Sequence, residues 1–376
     1  MNPAQVRCPA IEHPDIPLID PAGLTPLLGR LATAGPVEDD ETFPVGTLRT
    51  GGRVDLCKQG LGAAGVARLL PAATASNHAV HLLLGTNAMG DEGAAAIAAA
   101  LTPGHHVETL YLGCNRIDET GATALAKRLT ADSTVRALWL KRNPVGDAGA
   151  RAVAAMLRGN DSIRTLDLVN TGVTEDGLRA LLTALTERAH PLERLYLGGN
   201  GLGPDVAQTL AALIRDAGIR ELYLTANHLG DKGAATLAKE ASAARPISLG
   251  LGGNGIGPDG ARALADALGG IDALDLGRAP SERTLGAPPN HTGDAGAAAL
   301  AAALSGSPLR RLELRHTGVT GRGAKTLLHA LPADTRLEYV GFGPGVPRRV
   351  KREFALRLRP AAGVHPDLHA IASVYR

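Results

Sequence analysis

Only nine of the 376 residues are aromatic and only three are cysteine. So few cysteines (Cys8, Cys57, Cys114) cannot build a disulfide framework, which points to a reducing compartment, and the absence of any CxxC excludes a zinc ribbon. No apolar run approaches the roughly 20 residues of a membrane-spanning helix; the longest are alanine-rich stretches such as Ala94–Leu101. Residues 1–19 lack the basic-then-apolar order of an export leader, so the reading is a cytoplasmic protein without a membrane span. Charge of one sign is also missing: 39 basic against 37 acidic residues leave a net charge of +2, no broad footprint for nucleic acid. Gly (47) and Pro (24) stay below the share that marks low complexity, and no Gly-X-Y period occurs. What remains is a globular composition, 44% hydrophobic and 20% charged, in which Arg outnumbers Lys 32 to 7 as in GC-rich bacterial genomes.

The chain is built on an internal repeat. Leu82–Asn87, Leu110–Asn115, Leu138–Asn143, Leu195–Asn200, Leu222–Asn227 and Leu249–Asn254 share the pattern LxLxxN. Leu166–Thr171 and Leu312–Thr317 fit with Thr in place of Asn, and Val54–Gln59 fits with Gln. From position 59 to 254 the steps are 28, 28, 28, 28, 29, 27 and 27 residues. Each LxL reads as a short strand with both leucines on one side, and each following block, such as Gly90–Leu101, has helical periodicity. The recurrent Asn supplies donors and an acceptor for turning backbone. Asp91, Asp147, Asp231 and Asp294 are expected to cap the helices they open, and Pro204 and Pro258 suit a first helical turn. One such unit cannot bury its apolar side alone, so neighbours stack into a parallel sheet.

A period of 27–29 residues with LxLxxNxxGxxGAxxLAxxL resembles the ribonuclease-inhibitor-like subfamily of leucine-rich repeats, over roughly residues 52–340. The resemblance implies an α/β leucine-rich repeat solenoid of about ten repeats, a horseshoe with a parallel sheet on its concave side and helices outside. It also implies partner binding, usually on the concave side, and no particular partner. The expected organisation is an N-terminal cap over 1–51, the repeat array over 52–340 and a C-terminal cap over 341–376 whose basic helix carries Val350, Phe354 and Leu358 on its inner face. An insertion at 278–289 interrupts the array just past a strand, where a rim loop is expected.

The residues between the two leucines of each strand form a concave column: Asp55, Leu83, Tyr111, Trp139, Asp167, Tyr196, Tyr223, Gly250, Asp275 and Glu313. Four of the six Tyr and Trp residues fall in it. Because Tyr, Trp and Arg dominate binding hot spots, Tyr111, Trp139, Tyr196 and Tyr223 are read as an aromatic patch for a protein or peptide partner, with Asp167 at its centre and Lys141 and Arg142 beside it. Covering of the sheet by residues of high β-propensity is the competing explanation. Toward the C-terminal end the surface becomes charged, with Asp275, Arg278, Glu313, Arg315 and His316 as candidate contacts.

Little points to chemistry. Gly250–Gly255 spells GxGxxG, yet every element of it falls on the repeat template, so a dinucleotide site is not expected. Asp275 and Glu313 should be neighbours on adjacent strands, close enough for one carboxyl to be raised, with His316 and Arg315 nearby. That cluster carries the alternative reading, an enzyme or small-molecule binder; no nucleophile elbow, metal-spaced set or phosphate loop accompanies it. The expectation is a monomeric, non-catalytic interaction protein with no metal and no cofactor.

Overall fold

The computed structural model of the chain describes residues 3–13, 15–279 and 285–374. It contains two compact units, Met1–Leu192 with Val364–Arg376, and Glu193–Gly363, both made of the same strand–turn–helix element.

In the first unit β1 (Glu41–Thr42) and β2 (Thr47–Arg49) pair antiparallel and lead into β3 (Arg53–Asp55). From there β4 (His81–Leu83), β5 (Thr109–Tyr111), β6 (Ala137–Trp139) and β7 (Thr165–Asp167) add in parallel. The helices are α1 (Pro9–Glu12), α2 (Thr25–Leu31), α3 (Gly62–Ala75), α4 (Gly90–Ala100), α5 (Glu119–Leu129), α6 (Gly146–Gly159) and α7 (Glu175–Thr186), and α3 to α7 pack neighbour on neighbour. In the second unit β8 (Arg194–Tyr196), β9 (Glu221–Tyr223), β10 (Ile247–Gly250), β11 (Ile271–Asp275), β12 (Arg311–Leu314) and β13 (Tyr339–Phe342) are parallel throughout. Helices α8 (Ala207–Arg215), α9 (Gly230–Ala238), α10 (Pro258–Asp266), α11 (Gly293–Ala303), α12 (Gly321–Ala330) and α13 (Arg348–Ala355) back them, while α14 (Pro366–Ala370) belongs to the first unit. Leu82, Leu110, Leu138 and Leu166 stand side by side in register and are fully buried, because both leucines of each strand face the helices. Among the described residues the other side of each sheet carries no helix of the repeats.

The template asparagines form ladders between repeats. The Asn115 Oδ1 accepts from the Asn87 N–H at 2.7 Å, and its Nδ2 donates to the carbonyls of Leu84 and Leu112. Asn143 repeats the pattern one step on, Asn227 and Asn290 do so in the second unit, and Asn254 donates to Leu224 and Leu251 in the same way while its Oδ1 accepts from the Leu229 N–H. Where Thr stands instead, its hydroxyl donates to the carbonyl three residues back, Thr171 to Leu168 and Thr317 to Leu314. The residue before each template position has positive φ (Thr86 59°, Cys114 62°, Arg142 56°, Asn170 52°, Ala226 57°, His316 61°), a left-handed turn that swings the next side chain inward.

The aspartates expected to cap their own helices do something else. Helices α4, α6, α9 and α11 receive no side-chain cap. Instead Asp147 Oδ1 accepts from the Thr174 and Gly177 N–H groups at the start of α7, one repeat further on. Asp91, Asp231 and Asp294 serve α5, α10 and α12 in the same way. This also accounts for the glycines: a Cβ at Gly177 would lie 2.6 Å from Asp147 Oδ1, and one at Gly323 2.4 Å from Asp294 Oδ1.

Candidate functional site

On the helix-free face of the first unit the predicted column is in register, Leu83 beside Tyr111, Tyr111 beside Trp139 and Trp139 beside Asp167. It is not an accessible patch. Trp139 and Asp167 have 0% exposure and Tyr111 4%, so these three predicted contacts are corrected to buried residues. The reason lies in two segments outside the repeat pattern. Near the C-terminal ends of the strands the Arg7 N–H donates to Asn170 Oδ1 at 2.8 Å, Asn170 Nδ2 donates to the Gln5 carbonyl at 3.0 Å, and Cys8 is disulfide-bonded to Cys114. Near the N-terminal ends Asp367 accepts from the Arg164 guanidinium at 2.7 Å and the Thr165 hydroxyl at 2.6 Å, with Ala370 and Ile371 buried behind it. The row Leu83–Tyr111–Trp139–Asp167 lies between these two lines of contact.

Three cysteines build no framework, yet two of them form the single Cys8–Cys114 bond, which removes the cysteine argument for a reducing compartment. The two residues are 106 apart in sequence with Cα atoms at 5.5 Å, a pairing that spacing does not announce. Cys57 stays a thiol, pushed up to about 12 by burial and then by Asp55.

Burial shapes the electrostatics of this row. The Asp167 carboxyl is pushed up to about 6 by desolvation, which outweighs the pull of Lys141 and the Val169 N–H on its Oδ1 (2.8 Å). Among the described residues its Oδ2 is buried without a hydrogen-bond partner. Half-buried Lys141 holds its ammonium 5.8 Å from the Tyr111 ring centre, and desolvation lowers its pKa. Arg142, also half-buried, donates its backbone N–H to the Val169 carbonyl.

In the second unit the column remains partly open. Tyr196 and Tyr223 are half-buried and stacked, ring centres 4.4 Å apart at 9°. The Tyr223 hydroxyl donates to Glu221, which also pairs with the buried Arg194 guanidinium. Gly250 completes the pair's setting, since a Cβ there would lie 2.6 Å from the Tyr223 ring. Gly252 is required by close packing, a Cβ falling 2.0 Å from the Gly277 carbonyl, so the GxGxxG spelling has a structural cause.

Asp275 and Glu313 are register partners on β11 and β12. Glu313 accepts from the Arg315 N–H (2.8 Å), the Arg315 guanidinium (2.9 Å) and the Tyr339 hydroxyl (2.7 Å), which together hold its carboxyl below the ordinary range against the cost of burial. Asp275, whose Oδ1 accepts from the Gly277 N–H, is pushed up to about 6, first by burial and further by Glu313. Gly341 makes room for this arrangement: a Cβ there would meet the Glu313 carboxylate at 2.3 Å. Arg315 and His316 are exposed. Arg278, at the start of the insertion, donates its guanidinium to the Ala287 carbonyl near the insertion's end at 3.0 Å; residues 280–284 of the predicted rim loop lie outside the described residues.

Sequence reasoning passed over Tyr339, Asn170, Cys8 and Asp367. Tyr339 sits on a strand without the LxLxxN pattern, beside Arg311, whose guanidinium lies 4.8 Å from its ring centre. Asn170 was legible in principle, being an asparagine one position before the template residue Thr171. Among the described residues no group of three or more His, Cys, Asp or Glu side chains is placed to hold a metal, and no helix is long and apolar enough to cross a membrane.

A leucine-rich repeat family model matches residues 105–126, 131–154, 219–238 and 248–265. Among solved structures the fold is similar to one in the Rad7 and Elc1 complex of yeast, with 15% identity, 81% of this chain and 76% of that chain covered, and a TM-score of 0.55. The leiomodin-1 actin-binding site 2 matches at 18% identity over 36% of this chain and 78% of that one, with a TM-score of 0.32. No curated protein matches the sequence.

Proposed function

Because the chain is a leucine-rich repeat protein of α/β solenoid build, we propose that it is a non-catalytic interaction module, monomeric and ribonuclease-inhibitor-like in its repeat. It takes a protein or peptide partner on the helix-free face of the second unit. The observation that carries this reading is the stacked Tyr196–Tyr223 pair, left half-exposed where the aromatic residues of the first unit are sealed. Stacked rings are rigid and amphipathic, so they bury area at little entropic cost, as hot-spot residues do. Asp275, Glu313, Arg315, His316 and Arg278 then offer charges of both signs to a polar partner segment, supplying register and selectivity more than affinity.

The test is capture of partners by wild type and by Tyr223→Ala, followed by titration of the captured protein. Loss of the tyrosine should weaken binding by about 2 kcal/mol, roughly 30-fold. Affinity within threefold of wild type would show that the pair merely covers the sheet. A second reading is favoured by one observation, the split between a raised Asp275 and a lowered Glu313, which is how acid–base pairs are set. Under it, Glu313→Gln abolishes a turnover while partner affinity is kept.

A further inference from the structure

The segment that seals the first unit has the features of a bound ligand. Over residues 3–13 and 15–19 the chain meets Gly172, Asn170, Cys114 and Gly60 in turn, which lie in the turns after β7, β5 and β3. It therefore runs across the repeats and not along them. Its backbone is held by one side-chain amide: Asn170 accepts from the Arg7 N–H at 2.8 Å and donates to the Gln5 carbonyl at 3.0 Å. Such a clamp reads an extended main chain and is indifferent to the side chain between, here Val6. Gly172 lies beside the segment, where a Cβ would stand in ordinary contact with Ala4 and Val6 at 3.8 Å, and its φ of 77° is what calls for glycine. Ile11 and Ile16 pack on the Cys8–Cys114 pair, and Ile19 donates its N–H to the Gly60 carbonyl at 2.9 Å. Bracketed between the Asn170 and Cys114 anchors is β6, with the fully buried Trp139.

We propose that the face of the first unit opposite the repeat helices is a groove for a peptide, that residues 3–13, non-helical over 3–8 and helical over Pro9–Glu12, are its tethered occupant, and that the Cys8–Cys114 disulfide is the latch. Opening it requires a dithiol reductant. One thiolate of the dithiol attacks a sulfur of the pair, the S–S bond breaks, and the departing cysteine sulfur takes up a proton. The second sulfur of the dithiol then displaces the other cysteine, leaving two cysteine thiols and an oxidised cyclic disulfide. Since Cys8 and Cys114 are 0% and 6% exposed, attack waits on fraying of the segment, so reduction is slow compared with an exposed disulfide. The released groove accepts a peptide of the same chemistry, one that offers Asn170 a backbone carbonyl and, two residues on, a backbone N–H. This inference does not rest on the second unit's role.

The experiment uses the full chain, oxidised with glutathione disulfide or reduced with dithiothreitol, and a fluorescent peptide of residues 3–13 carrying Ser for Cys8. Hydrogen exchange at Arg7 should accelerate at least tenfold on reduction while circular dichroism stays unchanged, and the peptide should bind the reduced protein only. Asn170→Ala, tested reduced, should weaken the peptide at least tenfold, and Tyr223→Ala should leave it unaffected. Free Cys8 and Cys114 thiols after oxidation, Arg7 exchange within twofold on reduction, loss of the fold on reduction, no peptide binding to the reduced protein, or an unaltered Asn170→Ala affinity each overturn the proposal.

Discussion

Replacing Asn143 by alanine removes one rung of the ladder in the middle of the first unit. Its Oδ1 accepts from the N–H groups of Asn115 (2.8 Å) and Ile117 (3.1 Å), and its Nδ2 donates to the carbonyls of Leu112 and Leu140 at 2.9 Å each. The Leu112 carbonyl keeps the bond from Asn115 Nδ2, so the cost falls on two N–H groups and the Leu140 carbonyl. Asn143 and Asn115 are fully buried, which hinders water from replacing the lost partners. At about 1–3 kcal/mol for each buried group left unsatisfied, with partial relaxation, the loss is about 4 kcal/mol. Urea denaturation followed by circular dichroism reads this total, and hydrogen exchange at Asn115 and Ile117 shows whether it is local, as nearest-neighbour coupling in a repeat array requires. Asn143→Asp adds a diagnostic. It keeps the acceptor but turns a carboxylate oxygen toward the Leu112 and Leu140 carbonyls, so it should be as damaging as alanine at pH 8 and recover in part at acid pH, where a protonated carboxyl can donate. A loss below about 1 kcal/mol in Asn143→Ala, with both amides still protected, would refute the ladder as a source of stability.

Three further outcomes follow from the same geometry. Gly177→Ala should cost about 2 kcal/mol by displacing Asp147 from the start of α7, and the double variant Gly177→Ala/Asp147→Ala should cost little more than either change alone in a denaturation series. Thr86→Gly should stabilise by about 1 kcal/mol in the same assay, because a β-branched residue at φ 59° is strained. Asp275 has a folded pKa near 6 against 3.8 unfolded, so the folded state binds the proton more tightly; its contribution is fully present below the unfolded value and is lost as pH rises to about 6. Asp275→Asn, which keeps an acceptor for the Gly277 N–H, should therefore gain up to about 3 kcal/mol over wild type at pH 8 and nothing at pH 3; equal effects at both would contradict the raised pKa.

The repeat was legible in the sequence because its physics is local. A strand of three residues, a left-handed turn, an asparagine and a helix recur every 27–29 residues, and each position meets the same neighbours one repeat away. That is why the LxL leucines, the asparagine that satisfies the turning backbone and the proline start at Pro258 could be read from spacing, whereas the partners of the ladder one repeat away could not, and Pro204 opens a separate 3-10 turn ahead of α8. The aspartate caps were misplaced by one repeat because spacing along the chain does not say which of two adjacent helices a short side chain reaches. Tertiary structure alone decided which parts of the helix-free face are open. Trp139 and Tyr196 occupy equivalent template positions, yet one is sealed and the other half-exposed. The difference comes from contacts 106 to 203 residues apart, Cys8 with Cys114, Arg7 with Asn170 and Arg164 with Asp367, made by segments that carry no repeat and so leave no periodic signal.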